Sequence, residues 1–231
     1  MRVDVQEPWV EWPTVAVALG VYGGFLVVVL LHGSLPRPVT VALLAVVIAW
    51  HGSLQHEVLH GHPFRSRTAN EVLGSIPVSL RLSFRVYRRS HLRHHACTDL
   101  TDVQADPESF YVTAATWGRV GPVGRAFLWA HHTLLGRMLL GPLVENGSMA
   151  RRDVREVRDG DGRLLRWWLG HLVAAVVLAW LVVGVAGLPW WVYLLGVYAG
   201  NGLSLVRSYL EHRFVDGDAT RSAVARASWP W

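Results

Sequence analysis

Two histidine-rich stretches decide how this chain of 231 residues is interpreted: His-Glu-Val-Leu-His-Gly-His at residues 56–62 and His-Leu-Arg-His-His at residues 91–95. They contain six of the twelve histidines. Side chains three or four positions apart share one face of a helix, so the imidazoles within each box can converge. Imidazole binds transition metals, whereas magnesium and calcium prefer oxygen, and six imidazoles favour two ions or one ion with further histidines around it. The candidate ligands are His56, His60, His62, His91, His94 and His95, and His62, which follows Gly61, is alternatively a hydrogen-bond donor that supports the site.

The composition predicts a protein that lies in a lipid bilayer. Hydrophobic residues make up 52% of the chain, charged residues only 17%, and there are twelve tryptophans. Residues 14–31 are uncharged and long enough to cross about 30 Å of hydrocarbon. A second span begins near residue 39 and continues to His60, a third lies within residues 164–187, and a fourth runs from residue 190 to about 210. We therefore predict an all-α membrane protein with four transmembrane helices in two hairpins, interfacial helices and a cytoplasmic histidine-rich cap.

The segment between the second and third spans is more polar. Residues 113–142 mix aromatic and aliphatic residues with arginines, which predicts an amphipathic helix on the membrane surface. Residues 145–163 combine charged residues with turn formers, which predicts a soluble loop. His131 and His132 lie in the amphipathic stretch and are interpreted as interfacial residues, and His51 is expected near the membrane interface.

The distribution of arginine predicts the topology. All 22 basic residues are arginine, and fifteen of them lie between residues 62 and 164. By the positive-inside rule, the large loop, both histidine boxes and both termini are cytoplasmic. The pI near 10 follows from this topology and from attraction to anionic headgroups, and it gives no support to nucleic-acid binding. The single cysteine, Cys97, fits a reducing compartment.

Several motifs together resemble the integral-membrane fatty acid desaturase and hydroxylase superfamily, and in particular its bacterial desaturase-like members. The first box reads His-Glu-x2-His-Gly-His-Pro at residues 56–63, and Leu-Thr at 100–101 and Asp-Pro-Glu-Ser at 106–109 follow the second box. Arg-Ser-Tyr-Leu-Glu-His-Arg at residues 207–213 matches the position at which the superfamily has a further iron-binding histidine, which adds His212 to the ligands.

The resemblance implies a single membrane-embedded domain over residues 1–231, in the bacterial inner membrane, with two non-haem iron ions. It implies O2-dependent desaturation or hydroxylation of a lipid or fatty-acyl chain. No flavin, haem or ferredoxin motif is visible in the sequence, so the electrons are expected from a separate ferredoxin-type donor that docks on the arginine-rich surface. The superfamily has a third box of the form His-x2-His-His, and no histidine follows His212. The chain is therefore expected to be incomplete at its C-terminus or to have lost that box.

Polar residues near the boxes are expected to support the ligands. Asp102, Asp106 and Glu108, after the second box, either accept hydrogen bonds from imidazole or act as turn and cap residues. Arg207 has a partner four residues later on the same helix face. These supporting residues are Glu57, Asp102, Asp106, Arg207 and Glu211.

Two other functions remain open from the residues alone. His56, Glu57 and His60 form the His-Glu-x2-His pattern of zinc proteases, in which the glutamate is the general base, with Asp216 or Asp218 as a distant third ligand. That function leaves the second box without a role. The third possibility is an inactive fragment or a non-catalytic membrane protein.

Overall fold

The computed structural model describes residues 9–81, 83–97, 102–103, 105–109 and 111–211, and this part of the chain is built from helices. The helices are α1 (Trp12–Leu31), α2 (Arg37–Leu59), α3 (Arg67–Gly74), α4 (Phe84–Ala96), α5 (Ala114–Arg119), α6 (Pro122–His131), α7 (Leu134–Arg158), α8 (Gly162–Ala179) and α9 (Trp190–Glu211). A 3₁₀ turn, His32–Ser34, follows α1, and a π-helical segment, Trp180–Val185, continues α8. The all-α prediction is confirmed for the described residues.

Three helical segments are long and apolar enough to cross a membrane: Trp12–Ser34, Arg37–Leu59 and Gly162–Val185. They correspond to the first three predicted spans, and they support an integral membrane protein. The fourth predicted span forms α9, but this helix is not among the three. The polar residues Asn201 and Arg207 lie within α9.

The apolar side chains of α8 and its π-helical continuation face outward. Val173 is 65% exposed, Trp180 62% and Val185 63%. Large apolar side chains exposed together along one helix are unfavourable in water and mark contact with a partner or with lipid. Because the segment also has the length of a span, hydrocarbon is the solvent that fits this face.

The chain divides into two compact units, and the first contains residues up to Arg85 together with Trp168–Gly200. Glycines on α9 allow close packing in this unit. A Cβ on Gly200 would lie 2.7 Å from Cβ of Ile48, on α2, and 2.9 Å from the carbonyl oxygen of Ala45. Small residues that let backbones approach are typical of membrane helix pairs. The buried core consists of Phe25, Val28, Val29, Leu44, Ile48, Val78, Val182, Leu188, Val192, Tyr193 and Val197.

A Gly200→Ala variant is expected to unfold at a lower temperature than the wild-type protein, because the added methyl group overlaps Ile48 and a backbone oxygen. Overpacking of this kind typically costs about 1–3 kcal/mol. The matched control is Gly170→Ala on α8, where an added Cβ would have no neighbour within 4 Å. The control should be neutral or slightly stabilising, since alanine favours helix over glycine by about 1 kcal/mol. Equal thermal unfolding of both variants in detergent would contradict this packing.

The second unit contains Val86–Trp167 and the residues from Asn201 onward. In this unit the predicted loop at 145–163 is wrong, because α7 continues without a break to Arg158. Arg137 donates from Nη2 to Oε1 of Glu145 at 2.8 Å. The two residues lie about two turns apart on the same face of α7, so this bond joins its apolar first part to its polar second part. The single amphipathic helix predicted over 113–142 is also wrong, since the chain there forms α5, α6 and the start of α7.

Asp161 caps the start of α8 and binds an arginine of α4. Its Oδ1 accepts from the backbone N–H groups of Leu164 at 2.9 Å and Arg163 at 3.1 Å, and its Oδ2 accepts from Nη1 of Arg89 at 2.6 Å. The Leu164 N–H, and then the Arg89 guanidinium, hold the pKa of the Asp161 carboxyl below its usual range.

The contacts of the Asp161 carboxylate should make the stability of the protein depend on pH. A carboxyl group whose pKa is lower in the folded state contributes stability above its unfolded pKa of about 3.9, and that contribution disappears as the pH falls through the folded value. An Asp161→Asn variant keeps a capping side chain but loses the charge, so we expect it to be less stable than wild type at pH 7. The difference in melting temperature should shrink as the pH is lowered below 4. Asp159→Asn, at an exposed position two residues earlier, is the charge-matched control, and an equal pH dependence in both variants would refute the assignment.

Candidate metal centre

The first histidine box lies at the C-terminal end of α2, as predicted. The imidazole rings of His56 and His60, one helical turn apart, meet edge to face with their centroids 4.8 Å from each other. A ring nitrogen of each lies within 4.8 Å of a ring nitrogen of the other, so the two rings are close enough to contribute to one metal site. Glu57, between them, is hydrogen-bonded to Nδ1 of His56 at 3.2 Å. Gly61 then turns the chain with a φ of +109°.

The imidazole of His62 contacts a different part of the protein from those of His56 and His60. Its Nδ1 lies 2.7 Å from both carboxylate oxygens of Glu11, which precedes α1. His62 does not join His56 and His60 in a group of mutually close ring nitrogens among the described residues. The sequence analysis missed Glu11 as a partner, since its 51-residue separation from His62 leaves no local signal.

The second histidine box occupies the last turns of α4, and its three imidazoles lie close together. The centroids of His91 and His95 are 4.5 Å apart, and His94 is 5.6 Å from each of them. The two Nε2 atoms of His91 and His95 are separated by 2.9 Å.

This Nε2 to Nε2 separation provides a test of fit for a metal ion. Adjacent nitrogen ligands bound at about 2.1 Å to one ion lie about 3 Å apart. The separation in the second box therefore suits a shared ion, and neutral imidazoles are suitable donors for iron or zinc.

Two carboxylates behind the second box hold its imidazoles in place. Nδ1–H of His94 donates to both oxygens of Asp106 at 2.9 Å, and both side chains are almost fully buried. Nδ1–H of His91 donates to Glu108, with distances of 3.1 and 3.3 Å to the two oxygens. A histidine that donates through Nδ1 to a carboxylate presents the lone pair of Nε2 to a metal.

The predicted role of Asp106 as a partner of imidazole therefore agrees with this geometry, and Glu108 performs the same role for His91. Asp102 accepts from the backbone N–H of Ala105 at 3.1 Å, which is the turn role that the sequence left open. Arg152 also stabilises the loop that contains Asp106 and Glu108, because its Nη1 donates to the carbonyl oxygen of Pro107 at 3.2 Å.

The remaining predicted site residues are at the C-terminal end. His212, Asp216 and Asp218 lie outside the described residues. Arg207 lies on α9, which ends at Glu211, and the predicted pairing of these two side chains stays a prediction.

Two histidines outside the boxes are buried within the protein. His131, predicted to be interfacial, is only 4% exposed, and burial, assisted by the nearby charges of Arg137 and His132, lowers its pKa to about 4. It is therefore neutral at physiological pH. His51 is fully buried and its ring packs edge-on against Tyr22, with the centroids 5.8 Å apart.

Comparison with known proteins agrees with the motif analysis. The sequence model described as fatty acid desaturase matches residues 32–231, which include both histidine boxes and most of the chain. No curated protein and no solved structure matches the chain. The extent of the family match shows that this chain belongs to the fatty acid desaturase family.

Proposed function

We propose that this protein catalyses O2-dependent desaturation or hydroxylation of a lipid or fatty-acyl chain at two histidine-bound, non-haem iron ions. The single observation that carries the proposal is the family match over residues 32–231. Helices suited to a membrane and histidines paired at ligand spacing support it.

The two histidine boxes together are proposed to supply the iron ligands. The proposed set is His56, His60, His91, His94, His95 and His212. Iron would supply the O2 activation needed to oxidise an unactivated C–H bond, chemistry that no amino-acid side chain provides.

The described residues have their own roles in this proposal. Asp106 and Glu108 accept hydrogen bonds from the Nδ1–H groups of His94 and His91, which fixes the tautomer and the ring orientation of each imidazole. The apolar helices would align one carbon of the acyl chain with the metal ions, since orientation supplies much of the rate in such reactions.

We also propose that α9 is a fourth span, that the termini and both boxes face the cytoplasm, and that the protein lies in the bacterial inner membrane. The excess of arginine between residues 62 and 164 supports this orientation. Electrons would come from a ferredoxin-type protein that docks on this basic cytoplasmic surface, where opposite charge accelerates encounter.

The test is a turnover assay of the iron-loaded protein in phospholipid vesicles with ferredoxin, ferredoxin reductase, NADPH and O2. We expect acyl chains that have lost two hydrogens or gained one oxygen, detected by mass spectrometry, and no product without O2. A His32→Ala variant, which changes a histidine outside both boxes, should retain activity. Cleavage of added peptides in place of acyl oxidation would favour the zinc protease and overturn the proposal.

A further inference from the structure

The hydrogen bond between His62 and Glu11 has a defined direction. A carboxylate only accepts hydrogen bonds, so Nδ1 of His62 carries the proton and donates to both oxygens of Glu11 at 2.7 Å. This contact joins the segment before α1 to the turn after α2, in residues that are 51 positions apart.

Backbone contacts reinforce the same junction. The N–H of Glu11 donates to the carbonyl oxygen of Pro63 at 3.0 Å, and Val10 forms an isolated antiparallel bridge with Phe64. These contacts are made by the backbone, so the side chain of Glu11 adds a separate bond to the same junction.

Asn70 secures the turn from its other side. Its Nδ2 donates to the carbonyl oxygens of Gly61 and Phe64 at 2.7 Å each, and its Oδ1 accepts from the N–H of Phe64 at 3.0 Å. The turn that directly follows His60 is thus held by an asparagine side chain and by the His62 to Glu11 contact.

From this arrangement we infer that His62 is a positioning residue and not an iron ligand, and that Glu11 is its partner. The inference rests on the proposed function. The bond from Nδ1 of His62 to Glu11 would by itself leave Nε2 available to a metal, but among the described residues no ring nitrogen of His62 belongs to the group of close ring nitrogens that contains His56 and His60. The contact holds the turn after α2, and so keeps the last helical turn, with both ligands, in the shape that binds iron.

The two roles for His62 predict different effects of an asparagine substitution. The side-chain amide of asparagine places an N–H near the position of Nδ1, but it has no atom that corresponds to Nε2. A His62→Asn variant therefore keeps the bond to Glu11 and removes any possibility of ligation through Nε2. A His62→Ala variant removes both the bond to Glu11 and any ligation through Nε2.

The experiment compares iron-loaded wild-type protein with His62→Asn, His62→Ala, Glu11→Ala and the double variant Glu11→Ala/His62→Ala. The readouts are the half-life of iron release to a chelator and the Mössbauer spectrum of protein loaded with ⁵⁷Fe. Glu71→Ala, which removes a glutamate paired with Arg85 in the same unit, is the control and should match wild type.

We expect His62→Asn to release iron at the wild-type rate. Each single alanine variant at positions 11 and 62 should release it several-fold faster, and the double variant should be no faster than either, because both substitutions remove one interaction. All loaded variants should keep the wild-type Mössbauer spectrum, because none of them removes a ligand.

A His62→Asn variant with fast release or an altered spectrum would show that His62 is a ligand and would overturn the inference alone. Additive effects of the two alanine substitutions would also overturn it, because the residues would then act separately. A wild-type protein that takes up no iron would overturn the proposed function and this inference with it.

Discussion

A His91→Ala variant is expected to lose its iron and all O2-dependent oxidation of acyl chains. The Nε2 of His91 lies 2.9 Å from Nε2 of His95, so the substitution removes half of the closest ligand pair in the second box. It also leaves the carboxylate of Glu108 without the Nδ1–H that it accepts. Loss of a residue that only supports a ligand lowers metal affinity by about 10–100-fold, and loss of the ligand itself should exceed that.

The control for His91→Ala is His132→Ala, which changes a histidine outside the two boxes. The ring of His132 is bound locally, through Nδ1, to the carbonyl oxygen of Leu128 at 2.7 Å. Iron content by elemental analysis and product formation by mass spectrometry should both be unchanged in this control. Full iron content in His91→Ala would show that the second box does not bind the metal.

An Asp106→Ala variant is expected to bind iron about 10–100-fold more weakly than wild type. Asp106 is only 2% exposed, and without its carboxylate the Nδ1–H of His94 is left in a buried site with no acceptor from that position. A buried polar group that loses its partner costs about 1–3 kcal/mol. The substitution also removes the acceptor for the backbone N–H of Glu108, so the loop loses a second bond.

Competition with a chelator of known affinity measures this effect. Asp106→Asn keeps an oxygen that can accept from His94 and should fall between wild type and Asp106→Ala. Asp102→Asn alters the neighbouring turn residue and should bind iron nearly as wild type does. If Asp102→Asn and Asp106→Ala weakened binding equally, the loop as a whole, and not the bond to His94, would be responsible.

The sequence predicted α2 and the first ligand pair because both depend on local rules. The absence of proline between residues 39 and 62 allowed one helix to continue from the apolar run into the first box. The spacing of four between His56 and His60 then placed both rings on one face. In α4 the same rule brought His91 and His95 together.

Other features depended on contacts between distant residues, and these could not be predicted. Turn formers such as Gly147 and Ser148 suggested a loop, yet the helix continues through them. Farther along it, Glu156 pairs with Arg89 of α4 at 2.8 Å. The partnership of Glu11 with His62 joins residues 51 positions apart, so no local pattern could reveal it.

The three carboxylates after the second box show that sequence does not predict side-chain contacts even within a short loop. Composition and spacing identified them as candidates, but only the path of the chain decides which of them faces an imidazole. Asp106 accepts from His94, Glu108 accepts from His91, and Asp102 accepts from the backbone N–H of Ala105.

The most direct test of the central claim is the identity and amount of metal bound by the wild-type protein, measured by elemental mass spectrometry after purification. We predict iron, at up to two ions per chain, that is lost both in His56→Ala and in His91→Ala. Zinc at one ion per chain, lost in His56→Ala and retained in His91→Ala, would contradict the account and favour a protease built on the first box alone.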